Sequence, residues 1–127
     1  MLSNVLKLLL AVLCGTLIGM RRRVKGKFVG VPIYILVTAG TCLLMLVASQ
    51  QVAGDPGQMV RHVAIGIGFF GAGVIIGEKG SLASVAEAAC LWVTAAIGLA
   101  IGAELFLEAA AMALLTYFIL GRLENNQ

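Results

Sequence analysis

Between Lys27 and Asp55 the chain carries no charged residue, and other long stretches read the same way. A second uncharged run covers residues 63–77, and Glu87 is the only charged residue between Lys79 and Glu104. In water, stretches this long and apolar have no way to cover themselves. A bilayer core needs about 20 mostly apolar residues per helix, and five segments approach that length, at about 2–20, 30–51, 56–77, 85–102 and 105–120. Composition agrees. The chain is 61% hydrophobic and 12% charged with mean hydropathy +1.04, where a soluble domain has about 25% charged residues. The expected fold class is all-α, a polytopic membrane protein of about five transmembrane helices forming a single transmembrane domain over 1–127.

The net charge of +3 does not point to nucleic acid, because the positive charges are clumped. Arg21, Arg22, Arg23, Lys25 and Lys27 fall between two apolar segments, which is the pattern of a loop retained on the cytoplasmic side. If that loop is inside, so are Lys79 and Arg122, leaving Lys7 and Arg61 outside. The expected orientation is N-terminus out and C-terminus in. Lys7 lies close enough to a helix end to extend its ammonium outward to the membrane surface. Tyr34, Trp92 and Tyr117 then fall in the inner halves of their helices, as an interfacial aromatic belt would. The single early positive charge before the first apolar run does not suit a cleaved signal peptide.

Helix starts are legible too. "DPGQ" puts Asp55 at an N-cap and Pro56 at the first helical position. "SVAE" reads as a capping box with Ser84 as cap and Glu87 three residues on. About two or three residues separate the fourth and fifth segments around Ala103 and Glu104, so these form a tight antiparallel hairpin. Cys14, Cys42 and Cys90 lie in apolar runs without a C-x-x-C spacing and read as small buried side chains.

The stretch "GIGFFGAG" from Gly66 to Gly73 fits the glycine spacing of a dinucleotide-binding turn. That motif needs a preceding strand and a helix start open to water. These glycines lie inside an apolar span, so no cofactor is expected. In lipid, small residues at i and i+4 let helix backbones approach closely. Gly15 and Gly19, Gly73 and Gly77, and the row Thr94, Gly98, Gly102 are so spaced. In the third span Ala64, Gly68 and Ala72 form a further row, while Gly66, Gly71 and Gly73 smooth neighbouring faces. A helix smooth on several sides is expected at the centre of a bundle, and its flat faces favour self-association, a dimer first.

"GTLIGMRR", "GIGFFGAGVI" and "AACLWVTAAIGLAIGAELF" together resemble the MgtC/SapB family of bacterial inner-membrane proteins, in order and spacing over nearly the whole chain. The resemblance implies a hydrophobic domain of about five spans, commonly followed by a soluble cytoplasmic domain; only the membrane domain is expected here. It also implies roles in magnesium homeostasis, acid-stress adaptation and virulence, exercised on partner membrane proteins and not by catalysis. Three positions depart from the family pattern. Arg21 stands where G-x-L-I-G-x-E-R has its glutamate, Gly30-Val31-Pro32-Ile33 replaces G-L-R-T, and Ala86 and Glu87 replace a pair of polar residues. One acid is lost and another gained near the same membrane face. Glu87 either completes the capping box with Ser84 or pairs across helices with Arg21 or Arg22, and these three are the functional candidates.

No catalytic set is expected, since Ser-His-Asp, His-Glu-x-x-His and paired intramembrane acids are all missing from the sequence. Glu104 and Glu108 are four apart and share a helix face whose oxygens could suit Mg²⁺, but no metal site is expected. They equally suit the start of the fifth helix. His62, beside Arg61, is expected at the interface. The leading functional reading is a non-enzymatic regulatory or accessory protein of the inner membrane. The alternative is a small transporter or channel for an ion such as Mg²⁺ or a small solute.

Overall fold

The computed structural model describes residues 3–21, 30–50, 55–77 and 79–125. It contains five α-helices: α1 (Asn4–Arg21), α2 (Val31–Gln50), α3 (Pro56–Gly77), α4 (Leu82–Gly102) and α5 (Phe106–Asn125). Each helix start has a local cause. Ser3 Oγ accepts the N–H of Leu6 at the head of α1. Pro32 occupies the first turn of α2, where a missing N–H costs nothing. Asp55 caps α3 by accepting the N–H of Gly57 at 3.0 Å. Lys79 and Gly80 both take positive φ in the turn before α4, and Gly80 adopts it without a Cβ penalty.

The start of α4 differs from the sequence expectation. Its cap is Ser81, whose hydroxyl accepts the N–H of Ser84 at 3.1 Å, so the helix begins at Leu82. Ser84 lies within the first turn and donates its own hydroxyl back to Ser81 O at 2.6 Å. Glu87 therefore falls beyond the first turn, too far along to close a capping box.

The helices run alternately up and down. Lys7 of α1, Ser49 of α2 and Glu104 after α4 border one cavity at one end, while Arg21 meets α5 beside Gly121 at the other. Of the described cations, Arg21, Lys79 and Arg122 follow or precede helix ends at the second pole, and Lys7 and Arg61 lie near the first.

α4 is the centre of the bundle, packing on all four other helices, whereas among the described residues α3 touches only α4 and α2. Buried residues make up 56% of the α4 span and 17% of the α3 span. The expectation that α3 occupies the middle is thus corrected. Glycine and threonine line one side of α4 and alanines the other, so α4 is the helix that accepts close neighbours on both flanks. Ile18, Tyr34, Leu91, Ile97 and Ile101 form the deepest part of the core.

Outside, the bundle is apolar: Phe69, Leu107 and Ile76 are more than three-quarters exposed. Inside, Thr38, Thr41, Thr94, Ser84 and Glu87 are buried. The threonine hydroxyls donate to carbonyls one turn back in their own helices, at 2.8 Å for Thr38, 2.9 Å for Thr41 and 2.6 Å for Thr94. An apolar exterior over threonines satisfied within their own helices suits hydrocarbon as solvent. Among the described residues, α1 to α4 supply four helices long and apolar enough to cross a membrane.

Candidate functional site

Glu87 projects from the second turn of α4 into the protein and is 2% exposed. Its Oε2 accepts a hydrogen bond from the Tyr34 hydroxyl of α2. Tyr34 is itself fully buried, which corrects its placement in an interfacial belt. One turn further along α2, Thr38 bonds back to the Tyr34 carbonyl and turns its side chain toward Gly15 of α1. The site is therefore a buried carboxyl–phenol pair joining α2 to α4, with α1 closing over it. A carboxyl group in such surroundings is expensive unless hydrogen bonds satisfy it.

Arg21, the last residue of α1, runs to α5. Its guanidinium carbon stands 5.0 Å from the Tyr117 ring centroid, a cation–π contact, and the guanidinium fills the space a Cβ on Gly121 would take. Arg21 thus reaches α5, and the hydrogen bond from Tyr34 ties Glu87 to α2. Arg22 lies outside the described residues.

At the opposite end, Lys7 Nζ donates to Glu104 Oε2 at 2.7 Å. Lys7 does not extend to the surface; its side chain is 6% exposed and that of Glu104 is 43% exposed. The reason is geometric. Lys7 falls on the face of α1 shared with Ala11, Gly15 and Ile18, which is buried against the bundle, and the α4–α5 turn brings an acid directly to it. Glu104 holds positive φ in that turn, directing its carboxylate across to α1. The hydrogen bond from Lys7, followed by its positive charge, lowers the Glu104 pKa. Glu104 Oε2 is thereby committed to the Lys7 ammonium, an arrangement that opposes a divalent cation at that oxygen. Glu108 is exposed one turn along α5, and the described residues hold no group of three His, Cys, Asp or Glu positioned around a metal. The Lys7 pairing is not anticipated from sequence; its only signal is a lone lysine on the small-residue face of α1.

The glycines divide by neighbour. A Cβ on Gly15 would strike Thr38 and the α2 backbone, and one on Gly98 would strike Thr41 and the carbonyl of Thr38. At Gly19 it would lie 3.0 Å from Val31 Cα, and at Gly102 2.7 Å from Cys42 O. Gly71 faces Ala88 of α4 at 3.1 Å by the same construction. Gly66, Gly68 and Gly73 meet nothing within 4 Å among the described residues, and Gly77 is exposed at the end of α3. The stretch that resembles a dinucleotide turn lies wholly within the helix Pro56–Gly77.

A helical membrane bundle closed by bare backbone contacts, with one buried acid on α4, defines the class. Within it, this chain belongs to the MgtC family, whose sequence profile matches residues 8–126. Similar proteins include an uncharacterized protein of Haemophilus influenzae, 36% identical over 81% of this chain and 48% of its own length. The putative magnesium transporter YhiD of Escherichia coli K12 is 35% identical over 78% of this chain and 50% of its own length. Protein MgtC of Salmonella typhimurium is 35% identical over 87% of this chain and 48% of its own length. The chain spans about half the length of these curated relatives. No solved structure matches it.

Proposed function

We propose that the protein is a non-enzymatic regulatory or accessory component of the bacterial inner membrane. In this reading it serves adaptation to magnesium limitation, acid stress or host survival by binding other membrane proteins. All five helices span, with the N-terminus outside and the C-terminus in the cytoplasm, and two copies associate through α3. The observation that carries the reading is the packing of α1, α2 and α4. Gly15, Gly98 and Gly102 bring these backbones so close that a single methyl group would not fit between them. The flank cavities of about 330, 140 and 320 Å³ border Thr41, Trp92 and Leu43 respectively, and none is lined by Glu87 or Tyr34. Such an interior favours a rigid binding surface over a conduit. The exposed Gly66, Gly68 and Gly73 leave α3 the flattest face for a partner helix, here a second copy.

A second reading, transport of an ion or small solute, is favoured by one observation: a carboxyl group lies buried at Glu87 within the bundle. Liposome flux distinguishes the two. Purified protein reconstituted in sealed vesicles is expected to leave Mg²⁺ and proton permeability at the level of empty vesicles. Selective flux that disappears in Glu87→Ala, with the variant still folded, would replace the regulatory reading with transport.

A further inference from the structure

The end of the bundle where α1 begins holds a cavity of about 350 Å³ bordered by Asn4, Lys7, Ser49, Gln50 and Glu104, with Leu46 at its base. A second cavity of about 320 Å³ shares Asn4, Leu46 and Gln50 with it and passes between α1 and α2 over Val5, Leu8, Leu43 and Val47. Polar and apolar surface share the first cavity and apolar surface predominates in the second, so together they form a chamber opening into a groove along the flank between α1 and α2.

The chamber has two electrical poles. An ammonium carries three N–H donors, and Lys7, which borders the cavity, gives one of them to Glu104. Asn4 begins α1, adding the positive end of that helix. On the other wall stand the Glu104 carboxylate and the C-terminal turns of α2 and α4, the negative ends of those helices. The side chains of Asn4 and Gln50 make no hydrogen bond to another described residue and are exposed. Lys7 is about one turn into α1, roughly 4.5 Å along the helix axis from its start.

We propose that chamber and groove together bind a phospholipid whose headgroup carries a phosphate and a primary ammonium. The phosphate lies against Lys7 and Asn4, the ammonium against the Glu104 carboxylate oxygens at the negative ends of α2 and α4, and an acyl chain lies along Val5, Leu8, Leu43 and Val47. A choline headgroup has no N–H to give those acceptors, and a glycerol headgroup has no positive charge for Glu104. The site therefore selects the ethanolamine lipid. This inference is independent of whether the protein regulates or transports.

The test uses the full chain in mild detergent, titrated with dioleoyl phosphatidylethanolamine, phosphatidylcholine or phosphatidylglycerol, and separately with soluble phosphoethanolamine. Thermal midpoint and lipid retained in native mass spectrometry are the readouts. The ethanolamine lipid is expected to raise the midpoint at the lowest concentration and to be the lipid retained. Lys7→Gln is expected to weaken that binding about tenfold or more, the loss of one charged hydrogen bond. Glu104→Gln is expected to abolish the preference for ethanolamine over choline. Should Lys7→Gln fail to fold, Val47→Trp fills the groove from a half-exposed position without touching the ion pair, and is expected to lower affinity at an unchanged lipid-free midpoint. Equal binding of the three lipids would overturn the proposal, as would unaltered affinity in Val47→Trp. A midpoint shift from phosphoethanolamine equal to that from the lipid would assign the chamber to a soluble ligand and overturn it likewise.

Discussion

A carboxylate that accepts a hydrogen bond from an ammonium gives up its proton at lower pH than a free one, and Glu104 does so because Lys7 donates to it at 2.7 Å. Its folded pKa lies below the ordinary 4.5, so the pair stabilises the fold fully above that ordinary value. The contribution disappears as pH falls through the depressed folded value, since the unfolded chain then binds the proton more readily. The thermal midpoint of the wild-type protein is expected to drop on acidification below about pH 4.5. In Glu104→Gln it starts lower and stays flatter through the same window; parallel curves for the two proteins would show that the pair contributes nothing. At this scale the sequence is only half legible. Glu87 stands out as one acid in an apolar segment, but Tyr34, 53 residues away, cannot be matched to it without the fold. Lys7 reads as a surface lysine because its depth depends on which face of α1 is covered. Ser84 reads as a cap because "SVAE" has the right spacing, while Ser81 wins because the positive-φ turn at Lys79 and Gly80 ends directly before it.

Helices in lipid meet through what their side chains leave uncovered, and the glycine rows here differ in what they meet. The rows of α1 and α4 face α2 at backbone distance, whereas Gly66, Gly68 and Gly73 of α3 face nothing among the described residues. Periodicity identifies a smooth stripe equally well in each case and says nothing about its neighbour, which is why α3 reads as central when α4 is. The difference is measurable. Gly98→Ala drives a methyl group into the Thr38 carbonyl and is expected to destabilise the bundle by about 1–3 kcal/mol, the usual cost of overpacking. Gly68→Ala has room within the chain and carries the better helix propensity, so monomer stability should hold or gain up to about 1 kcal/mol. Denaturant titration in micelles checks both. If α3 is the dimer face, Gly68→Ala weakens association while leaving the monomer intact, so the two substitutions separate folding from assembly.

Across the whole molecule, apolar run lengths and helix starts carry most of the architecture, because a bilayer allows backbone few alternatives to the helix. All five helices lie where uncharged runs place them, with ends shifted by a few residues at Ser81 and beyond Leu120. Charge carries the rest of the topology. The described cations Arg21, Lys79 and Arg122 gather at the pole where α1 ends, and Lys7 and Arg61 at the pole where it begins. Moving this excess across a membrane opposes the retention of basic loops in the cytoplasm, so the pole of Arg21 is expected inside. Replacing Cys14, Cys42 and Cys90 with alanine, then introducing Arg61→Cys or Lys79→Cys, gives one exposed thiol near each pole. A membrane-impermeant maleimide added to spheroplasts should label the first and reach the second only after lysis. The reverse pattern would invert the protein, and would move Glu87 to the outer side and the Lys7–Glu104 chamber to the cytoplasmic leaflet. The chamber's chemistry would be unchanged by that inversion, but the leaflet supplying its lipid would be the other one.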